Sequence, residues 1–464
     1  MSTRADAVRS TARPGEPPPG VLDRVLNLFA EVRSGEGLTA VLLMLNIFLL
    51  LASYYLLKTI REPLILTVEG GAEVKSYAAA AIAGVLMVLV PLYSALASRV
   101  SRVRLINGVT AFFILCLVAF FLLSRAGVPI GVPFFIWVGV FNMMIIAQLW
   151  AFANDVYSVD QGKRLFAIVG FGASLGAIAG SFVTGQLVSQ YGPYPFLIAA
   201  AVLLGVCMLL TNVVNVREKA GPRAEGQTEG DEAEAKGAPA ASGDGGVKGR
   251  SGFALVFANR YLLLIAVLML LSNLVNTTGE YILGKTVVAN VTAQAGGAAG
   301  GMDEKKIIGE FYGNYFTWVN IISALLQAFV VSRLLKYLGL RTGLMVLPFV
   351  ALFGYLAMAF IPVVGFIRGA KIAENSLDYS VQNTTRNALY LPTSREAKYK
   401  AKQANDTFFV RLGDLASAGL VFAGTTWLAF GPRQFALTAV ALVVVWLIVA
   451  FVLGKRFQAL AHTA

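Results

Sequence analysis

Apolar residues fill long, nearly uninterrupted stretches of this chain, from residue 38 almost to its end. Each stretch has about 20 residues, the length that a helix needs to cross the hydrocarbon core of a bilayer. Within lipid the backbone must satisfy its own hydrogen bonds, so these stretches are predicted to be helices. The expected fold class is therefore an all-α integral membrane protein with twelve transmembrane helices, at 38–58, 77–98, 105–124, 133–154, 165–190, 195–215, 258–284, 311–332, 342–361, 363–385, 404–430 and 434–454.

Breaks in the apolar pattern divide the chain into segments. Residues 1–37 combine mixed charges with prolines and are expected to form a cytoplasmic tail. Residues 217–252 are rich in Gly, Ala, Glu and Lys without apolar periodicity, which predicts a disordered cytoplasmic linker. This linker separates an N-terminal six-helix half, 38–216, from a C-terminal six-helix half, 253–455. Residues 456–464 are expected to form a second cytoplasmic tail.

Composition and charge agree with a membrane protein. Hydrophobic residues make up 57% of the chain, charged residues 14%, and the mean hydropathy is +0.70. Lys and Arg are concentrated in alternate connections, and connections of this kind stay in the cytoplasm. Both termini are therefore predicted to be cytoplasmic, in a bacterial inner (plasma) membrane. The same bias accounts for the formal net charge of +12, so the lipid bilayer is an expected partner and nucleic acid is not.

Cysteine and histidine usage excludes several kinds of site. Cys116 and Cys207 lie singly in apolar stretches, and the one histidine, His462, is near the end of the chain. No disulfide framework, zinc site or histidine acid–base pair can be built from them, and we expect neither a metal nor a cofactor. The run 279–286 matches G-x-x-x-x-G-K-[ST], but it ends an apolar helix and contains bulky residues. A nucleotide-hydrolysing loop is therefore not predicted, and we do not expect an enzyme.

Two neighbouring stretches of the C-terminal half interrupt the apolar pattern with charge. The polar residues of the tenth stretch follow one another at steps of three or four and so share one helix face: Arg368, Lys371, Asn375, Asp378 and Gln382. The eleventh stretch has the same spacing at Thr407, Arg411, Asp414 and Ser417. We expect these two polar stripes to face each other across a hairpin, whose connection contains Arg395 and three lysines.

Ionisable residues occur in other apolar stretches as well. A charge at the centre of a lone span costs about 2.5–3.5 kcal/mol, so each such residue needs a partner or a polar cavity. One interpretation is a set of interhelical ion pairs, such as Lys371 with Glu374 or Arg411 with Asp414. The other is a water-filled cavity that binds an anionic solute. Its candidate substrate-binding residues are Lys58, Arg61, Glu62, Asp155, Asn276, Glu280, Arg368, Lys371, Glu374, Asp378, Arg411 and Asp414.

Purely structural interpretations remain possible for single residues of this set. Lys58 and Arg61 could extend to the membrane interface from the end of the first span, as Lys and Arg commonly do. Asp155, at a helix end, could simply pair with Lys163 or Arg164. If the cavity exists, phosphate oxygens would suit the guanidinium and ammonium groups, because Arg offers two parallel hydrogen bonds. A ring of the solute could stack on Tyr54, Tyr55 or Phe311.

Several separate segments resemble the ATP/ADP translocases of plastids and intracellular bacteria, together with their broader bacterial relatives. The segments, in chain order, are Tyr54 to Glu62, Phe152 to Arg164 running into Phe171-Gly-Ala-Ser-Leu-Gly176, the helix around Glu280, and Ala397 to Gly413. The resemblance implies a 6+6 arrangement similar to the major facilitator superfamily, and exchange of nucleotides without hydrolysis. It implies functional charges at Lys58, Asp155, where the family usually has Glu, and Glu280. In the eleventh span the family typically has Lys after Arg411-Leu-Gly413, and this chain has Asp414.

The resulting hypothesis is a monomeric transporter that moves a small anionic solute, most simply a nucleotide, by alternating access of its two halves. Two alternatives remain. A proton-coupled symporter or exporter would protonate an acid such as Glu280, Asp378 or Asp414 in each cycle. A membrane scaffold without transport activity would use the same charges only as structural ion pairs.

Overall fold

Helices account for every regular element in the described part of the chain. The computed structural model describes residues 20–27, 30–33, 35–97, 99–220, 252–294, 301–394 and 396–463. The twelve long helices are α1 (Gly37–Leu66), α2 (Gly71–Ala97), α3 (Arg102–Arg125), α4 (Gly131–Val156), α5 (Val159–Tyr191), α6 (Pro195–Ala220), α7 (Arg260–Gln294), α8 (Met302–Tyr337), α9 (Gly339–Phe360), α10 (364–388), α11 (Ala397–Thr426) and α12 (Pro432–Thr463). Two short helices, Val21–Leu26 and Gly252–Ala258, precede the two halves.

Eleven of these described helices are long and apolar enough to cross a membrane, and α10 is the exception. It is helical through Val364–Leu377, a π-helical turn at Asp378–Gln382, and Asn383–Ala388. Its polar stripe lowers the hydropathy of the whole segment. The prediction of an all-α membrane protein with a 6+6 order of helices is confirmed, and the tenth span is the one that apolarity alone does not identify.

Several predicted boundaries differ from the helices. The predicted linker 217–252 begins inside α6, which continues to Ala220, while residues 221–251 lie outside the described residues. The predicted tail 456–464 is largely the end of α12. Most of the predicted tail 1–37 also lies outside the described residues, as does Arg395. The run 279–286 is helical throughout, within α7, so it has none of the loop that a phosphate-binding motif requires.

Small residues let helices approach closely where the bundle is assembled. Gly172, Gly176 and Gly180 recur every fourth residue of α5, which predicts a face for close helix packing. In the structure this face lies on the backbone of α1, and a Cβ at Gly176 would collide with the carbonyl oxygen of Phe48. The two halves meet in the same way, because Gly185 of α5 packs directly on Gly313 of α8.

Ion pairs identify the two sides of the bundle. Arg164 at the start of α5 pairs with Glu36 at the start of α1, at 3.0 Å, and we call this the tail side. On the opposite side, which we call the far side, Glu73 near the start of α2 accepts from Lys285 of α7 at 2.6 Å. Because α2 and α7 belong to different halves, this bond joins the halves at the far side.

Glu36 fixes the tail-side start of α1. Burial opposes its ionisation, but its pKa is lowered, because hydrogen bonds from Arg164, the amide of Arg33 and Gln161 outweigh that effect. The Arg164 guanidinium contacts both carboxylate oxygens at 3.0 Å, the forked geometry that favours arginine over lysine. This contact ties α1 to α5 within the N-terminal half.

Candidate functional site

A chain of six ionisable side chains, alternately basic and acidic, crosses the interior of the bundle. It begins on α1, passes through α2 and α7, and ends on α10. The successive contacts are Arg61 Nε–Glu62 Oε1 3.1 Å, Glu62 Oε2–Lys75 Nζ 2.6 Å, Lys75 Nζ–Glu280 Oε2 3.6 Å, Glu280 Oε1–Lys371 Nζ 3.8 Å and Lys371 Nζ–Glu374 Oε2 2.9 Å. Three cations and three carboxylates alternate, so the chain of contacts is neutral as a whole. Its Lys75–Glu280 contact is the one that joins the two halves.

Hydrogen bonds from uncharged groups support the α7 and α10 members of this network. Lys371 is fully buried and also donates to Oδ1 of Asn276 at 2.8 Å. The hydroxyl of Tyr355 lies 3.1 Å from both oxygens of Glu374, and the hydroxyl of Tyr315 donates to Glu280 at 3.1 Å. Buried charges are tolerable only when their remaining hydrogen-bonding positions are filled in this way. The ion-pair interpretation of the sequence therefore describes Arg61, Glu62, Glu280, Lys371 and Glu374.

Lys58 lies outside this network and is surrounded by aromatic rings. Its Nζ is 4.5 Å from the ring centroid of Phe316, and three tyrosine rings lie at 5.0 to 6.0 Å: Tyr55, Tyr379 and Tyr54. It donates to the hydroxyl of Tyr379 at 3.1 Å. Among the residues that the structure describes, it forms no ion pair with a carboxylate. The rings stabilise the cation, by about 0.5–2 kcal/mol for a good contact, without neutralising its charge.

Two further charged residues of the α10 stripe, Arg368 and Asp378, differ from Lys371 and Glu374 in their surroundings. The Arg368 guanidinium lies 5.3 Å from the ring of Phe311 and, in the described part of the chain, pairs with no carboxylate. No ion pair within the described ranges involves Asp378, which lies at the start of the π-helical turn. Such turns are frequent at functional positions. Arg368 and Asp378 thus have no ion-pair partner among the described residues.

The charges of α11 form a separate cluster. Arg411 pairs with Asp414 at 3.0 Å, and Asp414 Oδ1 accepts from Asn273 at 2.7 Å and from Thr277 at 3.0 Å. The expected hairpin of facing stripes is therefore wrong. Within the described ranges, the polar side chains of α10 bond to one part of α7 and those of α11 to another, and not to each other. The reason is that α7, with Asn273, Asn276 and Glu280, lies in contact with both helices.

Asp155 lies away from the centre. It pairs with Arg102 across the tail-side ends of α4 and α3, and both side chains are substantially exposed. The structural interpretation of Asp155, an ion pair at a helix end, thus describes its position. Its partner is Arg102, and not Lys163 or Arg164.

Sequence reasoning missed Lys75 and the tyrosines of the network. The second span was predicted to begin at residue 77, which placed Lys75 in a connection, whereas α2 begins at Gly71. The signal that could have located it is Gly70, which adopts a φ of 63° just before the helix. Tyr315, Tyr355 and Tyr379 carried no distinctive signal, because aromatic residues are common in this chain.

We expect that Asp414→Ala lowers stability by about 1–3 kcal/mol, because it leaves Arg411, Asn273 and Thr277 without their acceptor. The check is thermal unfolding of the purified protein in detergent. Asp406→Ala is the matched control, because the one ion pair of Asp406 among the described residues is with Lys402, at 3.7 Å on the helix surface, and exposed pairs contribute about 0–1 kcal/mol. Equal melting temperatures for the two variants would contradict a structural role for Asp414.

Comparisons with known proteins agree with this architecture. A family model described as the Major Facilitator Superfamily matches residues 43–370. The ADP,ATP carrier protein 1 of Chlamydia pneumoniae is 23% identical over 360 residues, which is 68% of this chain and 65% of the relative. The carrier of the same name from Chlamydia trachomatis is 24% identical over 363 residues, covering 68% and 63%. The chain thus spans just under two thirds of the length of these relatives.

Solved structures give the same fold. The crystal structure of an auto inhibited POT family peptide transporter superposes with a TM-score of 0.58, covering 92% of this chain and 97% of that one at 13% identity. The predicted resemblance to ATP/ADP translocases with a major-facilitator-like arrangement is confirmed. Because the family model matches well over half of its residues, the chain belongs to the Major Facilitator Superfamily.

Proposed function

We propose that this protein is a membrane transporter that exchanges nucleotides of the ATP/ADP type by alternating access. The proposal rests on one observation above all, the enclosure of Lys58 by four aromatic rings without a carboxylate partner in the described part of the chain. Other central cations, Arg61, Lys75 and Lys371, are already neutralised. We therefore infer that an anionic solute binds at Lys58, where the positive charge is not neutralised by a described carboxylate.

The surroundings of Lys58 suit a solute that is both anionic and aromatic. The rings around Lys58 come from α1, α8 and α10, so both halves of the protein contribute to this position. The Tyr379 side chain is partly accessible, with 39% of the residue exposed. A phosphate could displace the Tyr379 hydroxyl from Lys58, and a base could stack on an exposed ring, as bases do on aromatic side chains of other proteins.

Arg368 offers a second contact for phosphate. In the family that this chain resembles, a lysine of the eleventh span is implied, and this chain has Asp414 bonded to α7 at that position. Arg368 has no acidic partner among the described residues and lies on Phe311 of α8. A guanidinium there could bind phosphate oxygens in place of the missing lysine.

Alternating access requires the far-side contacts to break. Lys75–Glu280 and Lys285–Glu73 both join the halves there, whereas the tail-side ion pairs of the described residues stay within one half, such as Arg102–Asp155 and Lys402–Asp406. This arrangement is that of a carrier closed at the far side. Opening would separate Glu280 from Lys75, and a bound anion that recruits Lys75 or Lys371 could compensate for that loss.

The test is uptake of labelled ATP into proteoliposomes that contain the purified protein. We expect uptake only when the vesicles are loaded with unlabelled ADP or ATP, since an exchanger returns by way of a loaded carrier. Uptake that requires a pH gradient and no internal nucleotide would instead favour proton coupling, with Asp378 as the unpaired carboxyl to examine first. Absence of uptake and of nucleotide-induced stabilisation would contradict the proposal and favour a scaffold.

A further inference from the structure

We propose that a cavity at the tail side of the C-terminal half binds the headgroup of an anionic phospholipid. The cavity has a volume of about 660 Å³ and lies between the short helix Gly252–Ala258, the start of α7, the connection from α10 to α11, and the end of α12. It is remote from the central network, because none of its lining residues belongs to that network. Cavities of a few hundred Å³ are of the size that small ligands occupy.

Two arginines give the cavity its charge. Arg260, at the start of α7, and Arg456, near the end of α12, both line it. Neither arginine pairs with a carboxylate among the described residues. Guanidinium groups match the oxygens of a phosphodiester with parallel hydrogen bonds. Two such groups on separate helices, lining one cavity, therefore favour a phosphate ligand.

Among the other polar groups of the lining, we distinguish those already hydrogen-bonded within the protein from one whose hydroxyl proton is available. The carboxamide of Asn259 accepts from the amides of Tyr261 and Leu262, so the start of α7 is already capped. The Tyr261 hydroxyl donates to the carbonyl of Leu389 at 2.7 Å. Ser394 accepts from the amide of Ala397 at 3.3 Å, which leaves its hydroxyl proton available. Recognition of an anion here would depend on the two arginines, with the Ser394 hydroxyl in support.

The apolar part of the lining favours a lipid over a soluble phosphate. Leu255, Leu262, Pro392 and Leu460 share the cavity with the arginines. A phosphate ion would leave these side chains uncovered, whereas a phospholipid would place its glycerol and upper acyl chains against them. The cavity also lies where α7 begins and α12 ends, and the ends of membrane-spanning helices are where lipid headgroups are expected. Basic pockets between transmembrane helices bind anionic headgroups in other membrane proteins.

The test is native mass spectrometry of the full-length protein in detergent, titrated with phosphatidylglycerol and, separately, with phosphatidylcholine. We expect tighter binding of phosphatidylglycerol, and weakening of about fivefold in each of Arg260→Gln and Arg456→Gln, since a basic residue near the membrane contributes about 1 kcal/mol to anionic lipid binding. Arg99→Gln is the matched control, because Arg99 is an exposed tail-side arginine outside this cavity. Its lipid binding should equal that of the unchanged protein.

Three results would overturn the proposal. Equal affinity for the two lipids would remove the role of charge, and unchanged binding in both glutamine variants would place the lipid elsewhere. Displacement of phosphatidylglycerol by millimolar inorganic phosphate would assign the cavity to a soluble anion. Should a variant fail to fold, the unchanged protein still provides a test, because the preference for phosphatidylglycerol must fall as salt is added. A salt-independent preference would contradict the assignment.

Discussion

Lys58→Ala is expected to cut nucleotide exchange strongly, with a loss of about ten- to a hundredfold in uptake, while the protein remains folded. The ammonium group is held by aromatic rings and one tyrosine hydroxyl, so its removal breaks no ion pair among the described residues. A buried charge-assisted contact to phosphate contributes about 1.5–3 kcal/mol, and loss of the charge also removes the attraction that draws the anion inward. The measurement is initial uptake of labelled ATP into ADP-loaded proteoliposomes.

Two variants control this experiment. Lys305→Ala removes another lysine that lies over a tyrosine ring, at 5.8 Å from Tyr194, but far from the centre, and its uptake should be unchanged. Lys58→Arg retains the charge and should retain part of the uptake, with a raised KM because the guanidinium is wider than the ammonium. Normal uptake by Lys58→Ala would refute the assignment of Lys58 as the anion-binding group, whatever the substrate.

Lys371→Met is expected to lower stability by about 3–5 kcal/mol, the largest effect we expect from a single change in the network. Lys371 is fully buried, and its Nζ lies 2.9 Å from Glu374 and 3.8 Å from Glu280. Methionine is similar in volume but leaves two carboxylates in the interior with one cation fewer, and an uncompensated buried charge is strongly destabilising. Thermal unfolding in detergent measures the change.

The double variant Lys371→Met with Glu374→Gln should recover much of this loss. Glutamine removes the uncompensated charge and still offers an oxygen to the hydroxyl of Tyr355. Residues in direct contact commonly show coupling of about 0.5–3 kcal/mol, so the double variant should be more stable than Lys371→Met alone. Lys336→Met provides the control, because Lys336 is exposed and contacts only the ring of Tyr337 among the described contacts. A double variant less stable than Lys371→Met would contradict the charge-balance explanation.

Charged residues of the same helix also differ in whether their charge is balanced by a neighbour. Along α10, Lys371 and Glu374 neutralise each other, while Arg368 and Asp378 have no such partner among the described residues. Helix periodicity places all four on a related face and so cannot distinguish them. The neighbouring helices distinguish them. Lys371 donates to Asn276 of α7, and Tyr355 of α9 donates to Glu374. Arg368 instead lies over the ring of Phe311 of α8.

Membrane insertion was readable from the sequence because it depends on a local, additive property. About 20 consecutive apolar residues must become a helix in lipid, wherever they lie in the fold. Eleven spans follow directly from this rule, and the four-residue spacing of Gly172, Gly176 and Gly180 predicted the close packing of α5. The family resemblance, too, was visible in short segments such as Tyr54 to Glu62.

The pairing of charges was decided only by the tertiary structure. Lys75 and Glu280 are about 200 residues apart in the chain, and nothing local to either predicts a contact of 3.6 Å between them. The expected meeting of the α10 and α11 stripes did not occur, because α7 lies against both helices: it accepts a hydrogen bond from Lys371 of α10 and donates one to Asp414 of α11. Coulomb energy depends on distance in space. The sequence therefore determined which charges enter the membrane, and the packing of the helices decided that Lys58 would have no carboxylate partner among the described residues.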